Sequence, residues 1–299
     1  MFSFSFRSLC LGLVLGIFAG QLEAASPVRQ DDAQARLLAD GFKFTEGPIA
    51  DQKGNVYFTD QPNDRIMLWT VEGQLETFLQ PAGRANGLYF DLQGNLLACA
   101  DEKNQLWEIT PAREISVLVK DFEGKLLNGP NDLWVDPNGG VYFTDPFYKR
   151  DYWNRSEKQI EAERVYYLSP NRRSVKVVAD GFVRPNGIIG TPDGKKLYVA
   201  DLSGRKTYSY RIGADGELRE RQLFVEMGSD GMTMDAEGNV YLTGRGVTVF
   251  SPSGSKIDQI PISKGWTANV CFGGKDFDTL FITSMDSLFG VPMKVKGAR

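Results

Sequence analysis

Histidine is absent from the 299 residues of this chain. That absence excludes Ser-His-Asp and Cys-His catalysis as usually built, and any zinc site that uses imidazole. Cysteine is scarce, with three in all, and only Cys99 and Cys271 lie beyond the N-terminal segment. Each sits in an apolar run, in sequence units that are not neighbours, so two buried free thiols are expected rather than a disulfide. Blocks of Lys or Arg are also missing, and the formal charge is −4, which argues against a nucleic-acid surface. Long apolar runs are missing too, except one. Arg7 precedes an apolar stretch at 9–20, and Ala24 and Ala25 offer small residues for cleavage. This is signal-peptide architecture, too short for a membrane span, and Arg7-Ser8-Leu9 before Cys10 does not make a lipoprotein signal. The expectation is an exported, periplasmic or secreted protein with no membrane contact after cleavage of residues 1–25. Chemistry in the mature chain must rest on carboxylates, amides, hydroxyls, a lysine or a bound ion.

What is present in abundance is a repeated hairpin. LNGPNDLWVDPNGGVYFTD at 127–145 reads as an amide, Asn131, leading a strand at 133–136, a Gly turn, and a second strand at 141–144 that ends on Asp145. Near-copies begin at Glu46, Asn86, Asn186, Asp230 and Asn269, at spacings of about 40 to 55 residues, the range of propellers and solenoids. In the first unit the strands are expected at 49–50, 56–59, 66–70 and 75–79. The segment RLLADGFKFTEG at 36–47 has a twin in VVADGFVRPNG at 177–187, where the apolar piece is the last strand of a repeat. By analogy, residues 37–39 form the last strand of the C-terminal repeat and close a ring. The fold class is therefore all-β: a six-bladed β-propeller with four antiparallel strands per blade, over 37–299, closed by the N-terminal strand. Residues 26–36 are polar and read as a loose arm.

The register locates the chemistry. The first strand of each blade lines the central channel, and the residue just before it comes from the connecting loop at one mouth. Those residues are Glu46, Asn86, Asn131, Asn186, Asp230 and Asn269, all bearing side-chain oxygen. The second strands end near the same mouth with Asp60, Asp101, Asp145 and Asp201, which either cap backbone amides or add carboxylates. Carboxylates and amides without imidazole or thiolate suit a hard cation. Calcium fits best, and magnesium, manganese or zinc are alternatives on the same oxygens. The spacing swells between the third and fourth units by FYKRDYWNRSEKQIEAE at 147–163, which enters at this mouth. It reads as a lid, with Tyr148, Tyr152 and Trp153 as candidate substrate walls, or as a solvated insertion.

In combination, EGP at 46–48, LNGPNDL at 127–133, YFTDP at 142–146, RPNGI at 184–188 and DGM at 230–232 resemble the senescence-marker-protein/gluconolactonase/luciferin-regenerating family. The likeness runs from about residue 37 to 290. It implies a six-bladed propeller holding a divalent ion on Glu46, Asn186 and Asp230, with Asn131 as ligand or substrate contact, and commonly lactonase activity. Animal sugar lactonases of that family carry an Arg where this chain has Gly129. Arg84, Asn86 and Asn128 join Asn131 and Tyr148 as candidate substrate contacts. The expected reaction is metal-assisted hydrolysis of a small-molecule sugar lactone, gluconolactone-type, by a monomer or weak dimer. The ion polarises the carbonyl, and Asp230, with Glu46 beside it, serves as base, or Asp230 attacks directly. A phosphotriesterase or arylesterase at the same ion, and a non-enzymatic binding propeller, are the other readings.

Overall fold

The computed structural model describes residues 1, 2, 26–31 and 33–299, so apart from its first two residues the expected signal peptide lies outside them. Alternating apolar residues with β-branched and aromatic side chains build six four-stranded antiparallel sheets. In the first blade the strands are Thr45–Ala50, Val56–Asp60, Arg65–Trp69 and Leu75–Leu79, in sequence order from the axis outward. The inner strands of the next five blades are Ala85–Phe90, Leu133–Val135, Pro185–Gly190, Met232–Met234 and Thr267–Gly273.

Apolar side chains fill the seams between blades. Trp134, Tyr142 and Tyr167 of the third blade pack on Ile188, Leu197, Val199 and Tyr210 of the fourth. Val56, Phe58 and Met67 of the first meet Cys271, Phe281 and Leu288 of the sixth, so this seam completes the ring. Cys99 lies in a different seam, beside Leu106 and Phe143, and both thiols are free and buried.

Two sets of aspartates hold the two ends of the propeller. Asp51, Asp91, Asp136 and Asp235 each accept hydrogen bonds from backbone N–H groups two and four residues on, fixing the hairpin turns at one mouth. At the other mouth, Asp60 accepts from Lys43 and Phe44 N–H, Asp145 from Asn128 and Gly129, and Asp201 from Val183 and Arg184. These three carboxylates tie down the loops that lead into the inner strands. They act as caps for those loops.

The ring closes through Arg36–Asp40, which pairs antiparallel with the third strand of the last blade, Ser287–Pro292, in the register Leu37 to Phe289 and Asp40 to Ser287. The sequence places this strand correctly but misjudges what precedes it. Residues 26–31 are docked, not loose. Val28 is buried against Tyr241, Phe272 and Met293, and Arg29 forms a bidentate pair with Asp258 at 2.7 and 3.0 Å. A single valine among polar residues carries no periodicity, so its burial had no signature in the sequence.

Chains starting at residues 26, 36 and 41 separate the two contributions. The second should lose about 2 kcal/mol, the scale of exposing one buried valine. The third should lose considerably more, because it also bares the edge of Ser287–Pro292. Thermal unfolding of the three chains checks this; equal midpoints for the second and third would dissolve the clasp.

Candidate functional site

The oxygen-bearing residues converge at the mouth that the loops enter. The structure places four of them inside the inner strands and not in the loops before: Glu46, Asn86, Asn186 and Asn269 lie within Thr45–Ala50, Ala85–Phe90, Pro185–Gly190 and Thr267–Gly273. Each of those strands shifts register around this position, a bulge that re-aims the side chain inward. Only Asn131 and Asp230 precede their strands. The glycine after the donor is a packing residue. A Cβ on Gly47 would sit 2.2 Å from the Asn86 carbonyl oxygen, one on Gly87 2.5 Å from that of Asn131, and one on Gly187 2.8 Å from that of Asp230. Their absence lets the blades approach the axis.

All six convergent residues are buried. Glu46 accepts a hydrogen bond from Gly47 N–H at 3.0 Å. Asp230 accepts from Asn186 Nδ2 at 2.7 Å through Oδ1 and from Trp266 Nε1 through Oδ2. The same Asn186 amide donates to the Tyr148 hydroxyl at 2.9 Å, so the insertion reaches the centre of the mouth. Burial pushes the Glu46 carboxyl well above the usual carboxylate range, and the nearby Asp230 charge pushes it further. Burial also raises Asp230 to about 6, against the opposing pull of its bonds to Trp266 and Asn186. Asp132 lies just below, accepting from Leu133 N–H at 2.9 Å and facing Asn269 Nδ2 at 3.5 Å, and burial raises it to about 7.

This donor set can be tested against a divalent ion. Among the described residues no group of three or more His, Cys, Asp or Glu stands in position to share a metal. The available set is mixed: two carboxylates, Glu46 and Asp230, with amides around them. Neither carboxylate has a Lys or Arg partner among the described residues. The buried side chains of Asn86 and Asn131 make no hydrogen bond among them either. Two buried carboxylates without a direct ion pair, beside unpartnered amides, fit a hard cation with oxygen ligands. Glu46, Asp230, Asn186 and Asn131 could hold it.

Other candidates lie elsewhere. Asn128 is fully buried away from this cluster: its N–H donates to Asp145 and its Nδ2 to the Ala162 carbonyl at 3.2 Å, pinning the returning end of the insertion. Arg84 sits at the rim, donating to the Pro62 carbonyl at 2.8 Å, with its guanidinium 4.5 Å from the Tyr152 ring. Asp101 departs from its three counterparts by gripping the insertion. It accepts from Arg150 Nε at 2.7 Å and from the Tyr152 hydroxyl, and its carbonyl accepts from Trp153 Nε1 at 2.8 Å. Trp153 also lies where a side chain at residue 129 would project, 3.1 Å from a Cβ there.

Sequence reasoning missed Trp266 and Asp132. Trp266 occupies the loop before the last inner strand, a position the repeat register already assigns to this mouth. Asp132 stands where four other blades have glycine after the donor. A cavity of about 860 Å³ opens at the far mouth between Ile49, Tyr89, Trp134, Met234 and Phe272, and Asp132 and Asn269 also line it. Its other carboxylates, Asp51, Asp91 and Asp136, are engaged in turns, so the donor cluster marks the site better than the volume does.

Fold and site together define a six-bladed propeller with a buried oxygen-donor cluster at one mouth of its channel. The chain belongs to the SMP-30/gluconolactonase/LRE-like family, whose model matches residues 44–286. It is 30% identical over 292 residues to a gluconolactonase of Zymomonas mobilis, covering 87% of this chain and 82% of that one. A gluconolactonase structure from Xanthomonas campestris superposes with a TM-score of 0.82 at 28% identity, covering 89% of this chain and 91% of the other. The calcium-binding regucalcin of Agrobacterium tumefaciens, at 20% identity and a TM-score of 0.74, shares the fold over 89% of this chain and 95% of its own.

The raised carboxyls give a pH test. Asp230 and Asp132 titrate near 6 and 7 in the folded chain but near 4 when unfolded, so their contribution to stability is full below about pH 4. It is lost as pH rises through 6 to 7. With chelator present, the melting temperature should fall between pH 5 and pH 8, and Asp230→Asn should flatten the slope. Added calcium should restore stability at pH 8. Calorimetry at the two pH values reads all three effects.

Proposed function

We propose that the protein is an exported lactonase that opens a sugar lactone of the gluconolactone type to the aldonic acid, using a divalent cation, most simply calcium. The observation that carries this reading is the pair of buried carboxylates, Glu46 and Asp230, with no cationic partner among the described residues and with amides converging on them. Gluconolactonase relatives in this family support the substrate class. The sequence pattern of residues 1–25 supports export.

A calcium-like ion held by Glu46, Asp230, Asn186 and Asn131 would polarise the lactone carbonyl and neutralise charge that develops on its oxygen. The residues of the chain do the rest. Asp230 takes a proton from the attacking water, since it borders the cluster and is a buried carboxylate held by Trp266 and Asn186. Trp266 and Asn186 hydrogen-bond one oxygen each and so fix the carboxylate plane. Tyr148, held by Asn186 and kept protonated by burial and the Asp230 charge, walls the lactone from bulk water. Glu46 is fixed by Gly47 N–H and supplies the second negative charge.

Two substitutions separate the base from the ligand. Asp230→Asn keeps shape and one oxygen but loses the base, so kcat should fall by at least about 10²-fold, and saturating calcium should not restore it. Asn186→Ala removes a neutral donor, so calcium affinity should weaken and excess calcium should recover much of the rate. Both are measured by a pH-indicator assay on glucono-1,5-lactone at saturating metal, with bound ion determined directly. Full recovery of Asp230→Asn would reduce Asp230 to a ligand. Turnover unaffected by chelator would remove the ion from the reading.

A further inference from the structure

Four arginines surround the insertion at the mouth, and the side chains of three of them make hydrogen bonds, although the Nε of Arg84 and of Arg155 has no hydrogen-bond partner among the described residues. Arg150 is paired with Asp101 at 2.7 Å. Arg155 donates to the Leu127 and Asn128 carbonyls, and Arg84 to that of Pro62. Arg184 is different. Its side chain makes no hydrogen bond or ion pair among the described residues, and its Nε is shielded from solvent without a partner. The position is nevertheless held on both sides. Its backbone N–H donates to Asp201 at 2.8 Å, and its guanidinium lies 4.8 Å from the centre of the Tyr148 ring. Arg150 approaches the same ring at 5.3 Å.

The geometry has a scale. Tyr148 touches Asn186 through its hydroxyl and Arg184 through its ring face, so one six-membered ring separates the donor cluster from the free guanidinium. A six-membered lactone lying along Tyr148, with its carbonyl at Asn186 and Asp230, would bring its far substituent to Arg184. A stacked guanidinium keeps its N–H fork free, and that fork matches the paired oxygens of a carboxylate, phosphate or sulfonate. Partial burial of unpaired N–H groups is costly, and an anion relieves that cost more fully than a hydroxyl.

We infer that Arg184 is a specificity-determining residue that binds the end of the lactone remote from its carbonyl, and that it favours a lactone carrying an anionic group there. This inference rests on the lactonase reading above. It adds a recognition element distinct from the ion ligands, and it assigns Arg150 a supporting role on the ring that Arg184 stacks against.

The experiment compares glucono-1,5-lactone with its 6-phosphate, at saturating calcium, for the wild type, Arg184→Met and Arg184→Lys. Methionine keeps an apolar stem on Tyr148 and removes the fork. The wild type should show the lower KM for the phosphorylated lactone. Arg184→Met should raise that KM by about 10- to 100-fold, the range for losing a charge-assisted hydrogen bond, and raise the KM of the neutral lactone by less. The loss should fall on KM and not on kcat, and Arg184→Lys should recover part of it. Calorimetric binding of 6-phosphogluconate and gluconate should follow the same order without turnover. Wild-type preference for the neutral lactone, or equal losses on both lactones, overturns the inference while leaving the lactonase reading intact. A lowered kcat with a lowered melting temperature also overturns it, because Arg184 would then only prop Tyr148. If the wild type hydrolyses neither lactone, the lactonase reading fails and this inference fails with it.

Discussion

The close approach of six backbones around one axis is the constraint on which this structure depends. Gly47, Gly87 and Gly187 lie so near the carbonyls of the following blade that no Cβ could be inserted without displacing main chain. A main-chain obstacle cannot rotate away as a side-chain tip can, so the tolerance at these positions is small. Because the blades meet there, the donor beside each glycine is carried to the same small volume. Six independent hairpins thus become one site. The same proximity takes Glu46 and Asp230 out of water, which raises their proton affinities.

Around that negative centre the mouth carries a collar of positive charge, and the two are kept apart by aromatic rings. Arg84 stacks on Tyr152, Arg155 on Trp153, and Arg150 and Arg184 on Tyr148. Rings hold guanidinium groups in place while leaving N–H edges available, which a salt bridge would consume. Asp101 takes one edge of Arg150 and so fastens the insertion to the second blade, and Arg84 and Arg155 each give an edge to backbone carbonyls. The insertion is therefore part of the mouth. One of its residues touches Asn186, and others are fixed to a blade that supplies no carboxylate to the donor cluster.

Much of this was legible in the sequence, because a hairpin that recurs six times states its own architecture. The blade number, the closing strand at 37–39 and the convergence of Glu46, Asn86, Asn131, Asn186, Asp230 and Asn269 all follow from register, which is a local property. What was not legible arises between residues that do not repeat. Asn128 resembles its neighbour Asn131 in type and motif, yet it turns into the protein to hold Ala162. Asp101 has the same repeat position as Asp60, Asp145 and Asp201 but a different task, because Arg150 and Tyr152 of the insertion fold onto it. Asn-Gly, elsewhere a turn signal, here marks a bulged strand start, since the demand comes from the adjacent blade and not from the local chain.

The clasp has a consequence for the order in which the molecule can come into being. The strand Arg36–Asp40 is among the first parts of the fold to be synthesised, and its partner Ser287–Pro292 among the last. Every intermediate length of chain therefore has an unpaired edge at each end, and contacts that join the two ends are the slowest kind to form. Early blades can pair within themselves, but the seam of Phe58 and Met67 with Phe281 and Leu288 has no second side until the sixth blade exists. Glu46 belongs to the first blade and Asp230 to the fifth, so a nascent chain has no assembled donor cluster. The chemistry is available only to a finished ring.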